Sequence, residues 1–440
     1  MSIVFENVGG AHESRCLMVV DRVEVSYCEG WDSRTRAPAG PLSLTLAAER
    51  HQAGEQYAVL LAAAGRPLAL IEVALGELHC GLRFLDEQLR RLFEIDCRLL
   101  AGGRLFMLEQ RKDPFHDPEM FKLHLREWAR VISALPDGRV QDSRIHADGH
   151  LRYGWHPADT EGYWVDAPAF GGWGQFIRAF PEALDAAGLE IPETVILDDV
   201  SDPHGTGLPA DERPWQPPRP LAPDPAHLAR LFTPGTRLTY DITGGLFVLD
   251  TDEKIKRVII EVVDAGTLRM PSGRLVAKDP AWIDDRDQPF TVTVPPGEYP
   301  VRLSVVRFAD NQEHKRVAAV KLVIRDEPAQ SWEMALVPGQ DPRTLSDTAF
   351  YGFGVDAGMG CFYDASATAA FARLDRGNVL GDAITAPMSD LESGTNLIAY
   401  HSGWGDGAYP TWIGRAAGGD VVCFVADMLL MPDNAAPEAG

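Results

Sequence analysis

Over the first 80 residues the apolar positions either alternate with polar ones or run in short unbroken blocks, the two patterns that strands leave in a sequence. Cys16-Leu-Met-Val-Val20, Arg22-Val-Glu-Val-Ser-Tyr27, Leu42-Ser-Leu-Thr-Leu46, Tyr57-Ala-Val-Leu-Leu61 and Leu68-Ala-Leu-Ile-Glu-Val73 are each predicted as strands, with a loop over 34–40. The spacing then changes. Phe84, Leu85, Gln88, Leu89, Leu92 and Phe93 recur at helical intervals and predict a helix. Arg104-Leu-Phe-Met-Leu-Glu109 returns to strand. Asp117 as cap and Pro118 at the first helical position predict a second helix, with an apolar stripe of Phe121, Leu125, Trp128, Ile132 and Leu135 that ends at Pro136-Asp-Gly138. A third helix is predicted over 175–187, and Val195-Ile-Leu-Asp198 reads as a short strand.

Between Pro203 and Pro225, eight of 23 residues are proline, a composition that favours an extended, stiff connector. Beyond it the pattern is again that of strands, at Gly245-Leu-Phe-Val-Leu249, Val258-Ile-Ile-Glu-Val-Val263, Phe290-Thr-Val-Thr-Val294, 299–307 and 317–325, closing on Val421-Val-Cys-Phe-Val425. The expected class is α+β: an N-terminal mixed sheet-plus-helix domain over 1–202, a proline-rich linker over 203–229, and a mostly antiparallel β domain over 230–431, sandwich-like or a curled sheet. A flexible tail is expected over 432–440.

Composition narrows the partners more than it names a function. In a 440-residue chain, 64 acidic residues against 41 basic give a formal charge of −23, which opposes phosphate backbones and anionic membranes. Neither nucleic acid nor membrane is expected as a partner. Met1-Ser-Ile-Val-Phe-Glu-Asn7 lacks the basic start and apolar core of a signal peptide. The six cysteines are scattered without a Cys-x-x-Cys pair, as in a reduced, cytoplasmic protein.

The densest unusual chemistry lies in two glycine-rich segments, Gly352-Phe-Gly-Val-Asp-Ala-Gly-Met-Gly-Cys-Phe-Tyr-Asp364 and His401-Ser-Gly-Trp-Gly-Asp-Gly-Ala-Tyr-Pro-Thr-Trp-Ile-Gly414. Glycine here implies turns or close backbone approach. If the segments are neighbours, Asp356, Cys361 and Asp406, with His401 as the local base, form the candidate catalytic set. Asp364, Ser402, Trp404, Tyr409, Trp412 and Arg415 form the candidate binding set. Structural turns, with aspartates in Asx turns and the cysteine in a core, account for the same residues. His146, His150 and His156 have spacings compatible with zinc in a loop, and surface histidines account for them equally. No metal is expected to be bound, and no cofactor is expected.

Leu268-Arg-Met-Pro-Ser-Gly-Arg-Leu-Val-Ala-Lys-Asp-Pro280, Pro296-Gly-Glu-Tyr-Pro-Val301, Arg316-Val-Ala-Ala-Val320, Trp332-Glu-Met-Ala-Leu336, Val355-Asp-Ala-Gly-Met-Gly-Cys-Phe362 and Ser402-Gly-Trp-Gly-Asp-Gly-Ala-Tyr-Pro410 resemble, in order, the bacterial family DUF4241. The resemblance runs from about residue 266 to 431. It implies a domain and carries no activity. The first 230 residues resemble no known family. The expected function is that of a binding protein for a basic protein partner, such as a bacterial toxin. The alternative is a small-molecule hydrolase centred on Asp356, Cys361 and Asp406. Enzymatic activity and oligomeric state stay open at this point.

Overall fold

A computed structural model of the chain describes residues 2–5, 16–100, 102–112, 129–145, 151–152, 154–241, 255–311, 313–373, 384–390, 394–431 and 436–437. It divides into two compact units, Met1–Pro218 and Arg219–Gly440.

The N-terminal unit is built on a 13-stranded sheet. Its spine is a run of antiparallel hairpins, from the Tyr57–Ala63 strand through the Arg139–Ile145 strand. The Ile196–Asp199 strand lies parallel to Arg22–Asp32 and makes the sheet mixed. One face carries the main core. Trp173, Phe176, Ile177, Phe180 and Leu184, from the short helices Trp173–Arg178 and Pro181–Ala186, pack there against Tyr27, Tyr57, Val59, Ile71 and Phe84.

Three predicted elements are overturned in the described residues. Phe84 to Phe93 is a hairpin, because the carboxylate of Asp86 accepts the amides of Gln88 and Arg90 and closes a turn, with Leu89 at φ 59°. Phe84 and Phe93 become cross-strand partners. The 42–46 stretch breaks at Ser43, whose hydroxyl accepts the Leu46 amide and caps the helix Leu44–Ala53, with Gly54 closing it at φ 73°. Of the helix expected from Asp117 to Leu135, residues 117–128 lie outside the described residues, and the rest is the strand Ala129–Leu135. There Pro136-Asp-Gly138 is a hairpin turn between two strands. The loop expected over 34–40 contracts to a turn at Asp32, after which Ala37–Leu42 rejoins the sheet. The strand expected at Gly245–Leu249 lies outside the described residues.

Polar groups are buried on the sheet as well. Arg83 bridges Glu72 and Asp96 at 3.0 and 2.7 Å. Beside them His79 is fully buried, and its Nδ1 accepts from the Arg98 guanidinium at 3.0 Å. Residues 203–218 lie against this unit: the Trp215 ring sits tilted, its centroid 5.8 Å from that of His79, and donates its indole N–H to the Glu29 carbonyl. The buried Glu29 carboxylate pairs with Arg50 at 2.8 Å and Arg213 at 3.1 Å and accepts the Leu208 amide.

The C-terminal unit is antiparallel throughout its described ladders. A nine-stranded sheet includes Ile255–Met270, Gly297–Phe308, Lys315–Val323, Gly407–Arg415 and Val421–Asp427, and curls into a half-barrel. A four-stranded sheet, ordered Leu275–Lys278, Met359–Asp364, Asn396–His401 and Thr385–Ser389, covers one side of it. Leu268, Val301, Leu303, Val320, Phe362, Ile398, Tyr400 and Phe424 fill the space between. The helix Pro225–Leu231 covers the opposite face of the large sheet through Leu228 and Leu231. Phe290–Val294 forms no strand of its own; it meets the sheet through the bridge of Thr293 with Arg274 and through the amides of Phe290 and Val294, which donate to the Leu275 and Gly273 carbonyls. In the expected tail, Ala436–Pro437 pairs with Leu238 and Thr239.

His79 makes the N-terminal unit acid-sensitive. Burial pushes its pKa down to about 3; Asp96 opposes the shift, and Arg83 and Arg98 add to it. The unfolded chain takes up a proton near the ordinary value of about 6.5 and the folded chain does not, so stability is present above that pH and is lost as pH falls. Between pH 7 and 5 the wild type is expected to lose about 2 kcal/mol more than His79→Gln. Hydrogen exchange of the His79–Leu85 strand at both pH values measures the difference.

Candidate functional site

The two glycine-rich segments are neighbours. Met359–Asp364 pairs directly with Asn396–His401, placing Met359 opposite His401. Beyond that ladder the chain turns twice, and the turns hold each other. The Ser402 amide donates to the Gly358 carbonyl at 3.1 Å, and the Gly358 amide donates to the Asp406 carboxylate at 3.2 Å. Ser402 Oγ donates to the Gly405 carbonyl, and the buried Tyr409 hydroxyl donates to the carbonyls of Ser402 and Gly405. Burial pushes the Tyr409 phenol up, which keeps it a donor. Gly403 sits at φ 54° against Met428.

The anchor of this region is Asp279, a residue absent from the candidate sets. It is fully buried, and one carboxylate oxygen accepts the amides of Asp356 and Ala357 at 2.8 and 2.9 Å. Its other oxygen accepts the Ala281 amide and caps a single helical turn, Pro280–Trp282. Asp279-Pro280 is a recognisable cap signal in the sequence, since Pro suits the position after a capping Asp. The long-range half of its work leaves no local signal.

Cys361 lies within the core on the outer face of the four-stranded sheet, among Val276, Ile283, Tyr363, Phe371 and Leu397. Its side chain is fully buried. That burial pushes the thiol well above its ordinary range, and the carboxylates of Asp279 and Asp287 add to the shift. Asp364 is buried too, and accepts Ser272 Oγ at 2.7 Å and the amides of Ser272 and Ser366. Asp356 and Asp406 are exposed, and His401 is half-buried.

The expected aromatic set is divided. Tyr409 belongs to the core between the two sheets, whereas Trp412, 2% exposed, belongs to the core under the helix Pro225–Leu231. Trp404 remains 41% exposed, with the Arg316 guanidinium 5.4 Å over its ring and His314 beside it. Arg415 pairs with Glu333 across two strands, Nε at 2.9 Å. His156 is exposed on Trp155–Pro157, and His146 and His150 lie outside the described residues. Among the described residues, no three His, Cys, Asp or Glu side chains form a metal-binding group.

A groove of about 720 Å³ opens beside Asp279. Its sides are Val276 to Lys278 and Gly352 to Asp356, and Trp282, Arg286 and Gln340 line it further. Trp282 is 58% exposed. Lys278 pairs with Asp287, which also accepts the Tyr363 hydroxyl and the Asp284 amide. Arg286 lies 3.6 Å from Asp284.

Residues 268–426 match DUF4241, a family described as protein of unknown function. The match lies within the C-terminal unit and begins inside the Ile255–Met270 strand. No curated protein and no solved structure matches the chain. Among the described residues, no helix is long and apolar enough to cross a membrane.

Two outcomes follow from the site's construction. Asp279→Ala leaves the part-buried amides of Asp356, Ala357 and Ala281 without their acceptor and is expected to destabilise the protein by about 1–3 kcal/mol, against less than about 0.5 kcal/mol for Asp356→Asn, as thermal melts will measure. Iodoacetamide is expected to modify Cys361 only as fast as the domain opens, so mild urea accelerates its labelling in mass spectra.

Proposed function

We propose that this protein is a binding protein whose C-terminal unit receives a basic region of a partner protein at the groove beside Asp279. The observation that carries the proposal is the groove itself: an exposed Trp282 between strand edges, with Asp287, Asp356, Lys278 and Arg286 in the lining and Asp284, Asp285 and Asp406 close to lining residues along the chain. An exposed aromatic inside a charged rim is the usual make-up of an interaction surface. The chain's formal charge of −23 favours a cationic partner and speeds its approach. A basic toxin neutralised by such binding fits this chemistry.

The hydrolase alternative draws less support. Nucleophilic catalysis needs a thiolate within reach of substrate. Cys361 is buried in a core and its thiol is held protonated, while Asp279 and Asp364 are occupied with backbone amides.

The full chain is expected to bind a lysine-rich polypeptide more weakly as salt rises. Joint replacement of Asp284, Asp285 and Asp406 by Asn is expected to weaken binding by about tenfold. Neutralising Glu87, Asp166 and Asp202 in the N-terminal unit is the control for net charge. Calorimetry in which both triple variants lose affinity equally would remove the groove from the proposal.

A further inference from the structure

We propose that residues 208–218 are an acid-released strap: protonation of His79, beside Trp215, frees them from the N-terminal unit while its sheet stays folded. The strap ends where that compact unit ends, at Pro218.

The segment is fastened by side chains. Among the described residues, no backbone–backbone hydrogen bond joins 208–218 to the sheet, and the Glu212 amide stays within the segment, on the Pro209 carbonyl. Just upstream, Thr206 bridges to Leu42 and the Gly207 amide donates to the Pro41 carbonyl, which anchors the strap at one end. Beyond Gly207 the Glu29 carboxylate holds the Leu208 amide and Arg213, and the Glu29 carbonyl accepts the Trp215 indole. Gln56 Nε2 donates to the Trp215 carbonyl at 2.6 Å, and Arg98 Nη2 donates to the Pro218 carbonyl at 3.0 Å. Trp215 is half-buried, and Asp211, Glu212 and Gln216 are exposed. A segment with no ladder of its own and few buried apolar groups opens at lower cost than the sheet beneath it.

His79 is the part of this seat that resists a proton while the strap is down. Its side chain is fully buried. A guanidinium only donates, so the bond from Arg98 Nη1 makes His79 Nδ1 an acceptor and places the hydrogen of the neutral ring on Nε2. That N–H has no acceptor among the described residues, and Asp96 Oδ1 lies 3.9 Å away, beyond hydrogen-bond reach. A second proton, on Nδ1, would meet Arg98 donor to donor at 3.0 Å. The same guanidinium clasps Pro218, so an imidazolium pushes on the group that holds the end of the strap.

The charges around the ring leave that conflict uncompensated. Arg98 and Asp96 act on it from the Arg91–Leu99 strand, and Arg83 from its own. Asp96 is paired with Arg83 at 2.7 Å, and Glu72, from the strand on the other side, pairs with Arg83 at 3.0 Å. Two guanidiniums against two carboxylates leave no negative charge spare for a third cation, and what the strap brings to the ring is Trp215. Lifting the strap takes the indole off His79 and admits water, and the imidazole then titrates near its ordinary value of about 6.5. Only the open form binds the proton readily, so the closed form is favoured above that pH and loses ground as pH falls.

The Trp215 indole N–H reports the strap, because its acceptor is the Glu29 carbonyl. Full-length protein carrying isotope-labelled tryptophan gives that signal by NMR, assigned by its loss in Trp215→Phe. Its exchange rate, divided by that of free tryptophan at the same pH, gives the opening constant of the strap. Amides of the Tyr57–Ala63 strand, followed by exchange mass spectrometry with the same correction, report the sheet.

In wild type the opening constant is expected to rise about thirtyfold from pH 7.5 to pH 5.0. His79→Gln keeps an acceptor for Arg98 without a titrating ring, and its constant is expected to change by less than about twofold. Gln56→Ala is expected to open about fivefold more at either pH and to keep the thirtyfold rise. The sheet amides should open at least about tenfold less often than the strap throughout. A wild-type constant flat with pH, or a rise that His79→Gln retains, would overturn the proposal. Strap and sheet opening with one shared constant would overturn it as well, by making the acid response that of the whole unit.

Discussion

A backbone amide that leaves its sheet inside a protein must still find an acceptor, because an unpaired buried N–H costs on the order of 1–3 kcal/mol. In the C-terminal unit that requirement is met by buried carboxylates. Asp279 takes two amides where the chain turns after Val355, and Asp364 takes those of Ser272 and Ser366 where the next strand ends. Glu29 does the same for Leu208 in the N-terminal unit, with Arg50 and Arg213 balancing its charge. These acids look like candidate chemistry in a sequence. In the fold they act as substitutes for missing strand neighbours, and the glycine-rich segments take their path from them.

That substitution explains much of what could and could not be read from the chain. Strands with unbroken apolar runs, such as Tyr57–Ala63 and Val421–Asp427, were legible because both of their faces are buried. Phe84 to Phe93 was not, because residues flanking a tight hairpin turn fall at spacings that mimic a helical stripe. Ser43 and Gly54 carried a correct helix signal that the alternation of Leu42, Leu44 and Leu46 overrode. The family resemblance located the C-terminal domain well, with Leu268 to Ala426 matched.

The candidate site was legible as a place and less so as a set of roles. The nearness of the two glycine-rich segments was foreseeable, and the ladder between Met359–Asp364 and Asn396–His401 brings them together. Which side of that ladder each side chain faces depends on register, and sequence proximity does not report register. Cys361 and Asp356 are five positions apart, yet one is fully buried and the other exposed. Tyr409 and Trp412 are separated by the sheet on which both lie. Asp279 was missed because its partners are 77 and 78 residues away along the chain.

The Ile255–Met270 strand carries a practical lesson for dissecting such chains. The family match opens at residue 268, thirteen residues into a strand whose pairing with Gly297–Phe308 runs from Val258 to Met270. An expression clone trimmed to the match would amputate most of that strand. It would bare the Gly297–Phe308 edge, with Val306 and Phe308 stripped of the neighbours that cover them, and invite sticky, insoluble material. A fragment meant to fold needs its start near residue 219, where the compact unit begins, because the limits of sequence kinship and the limits of a folding unit are set by different forces.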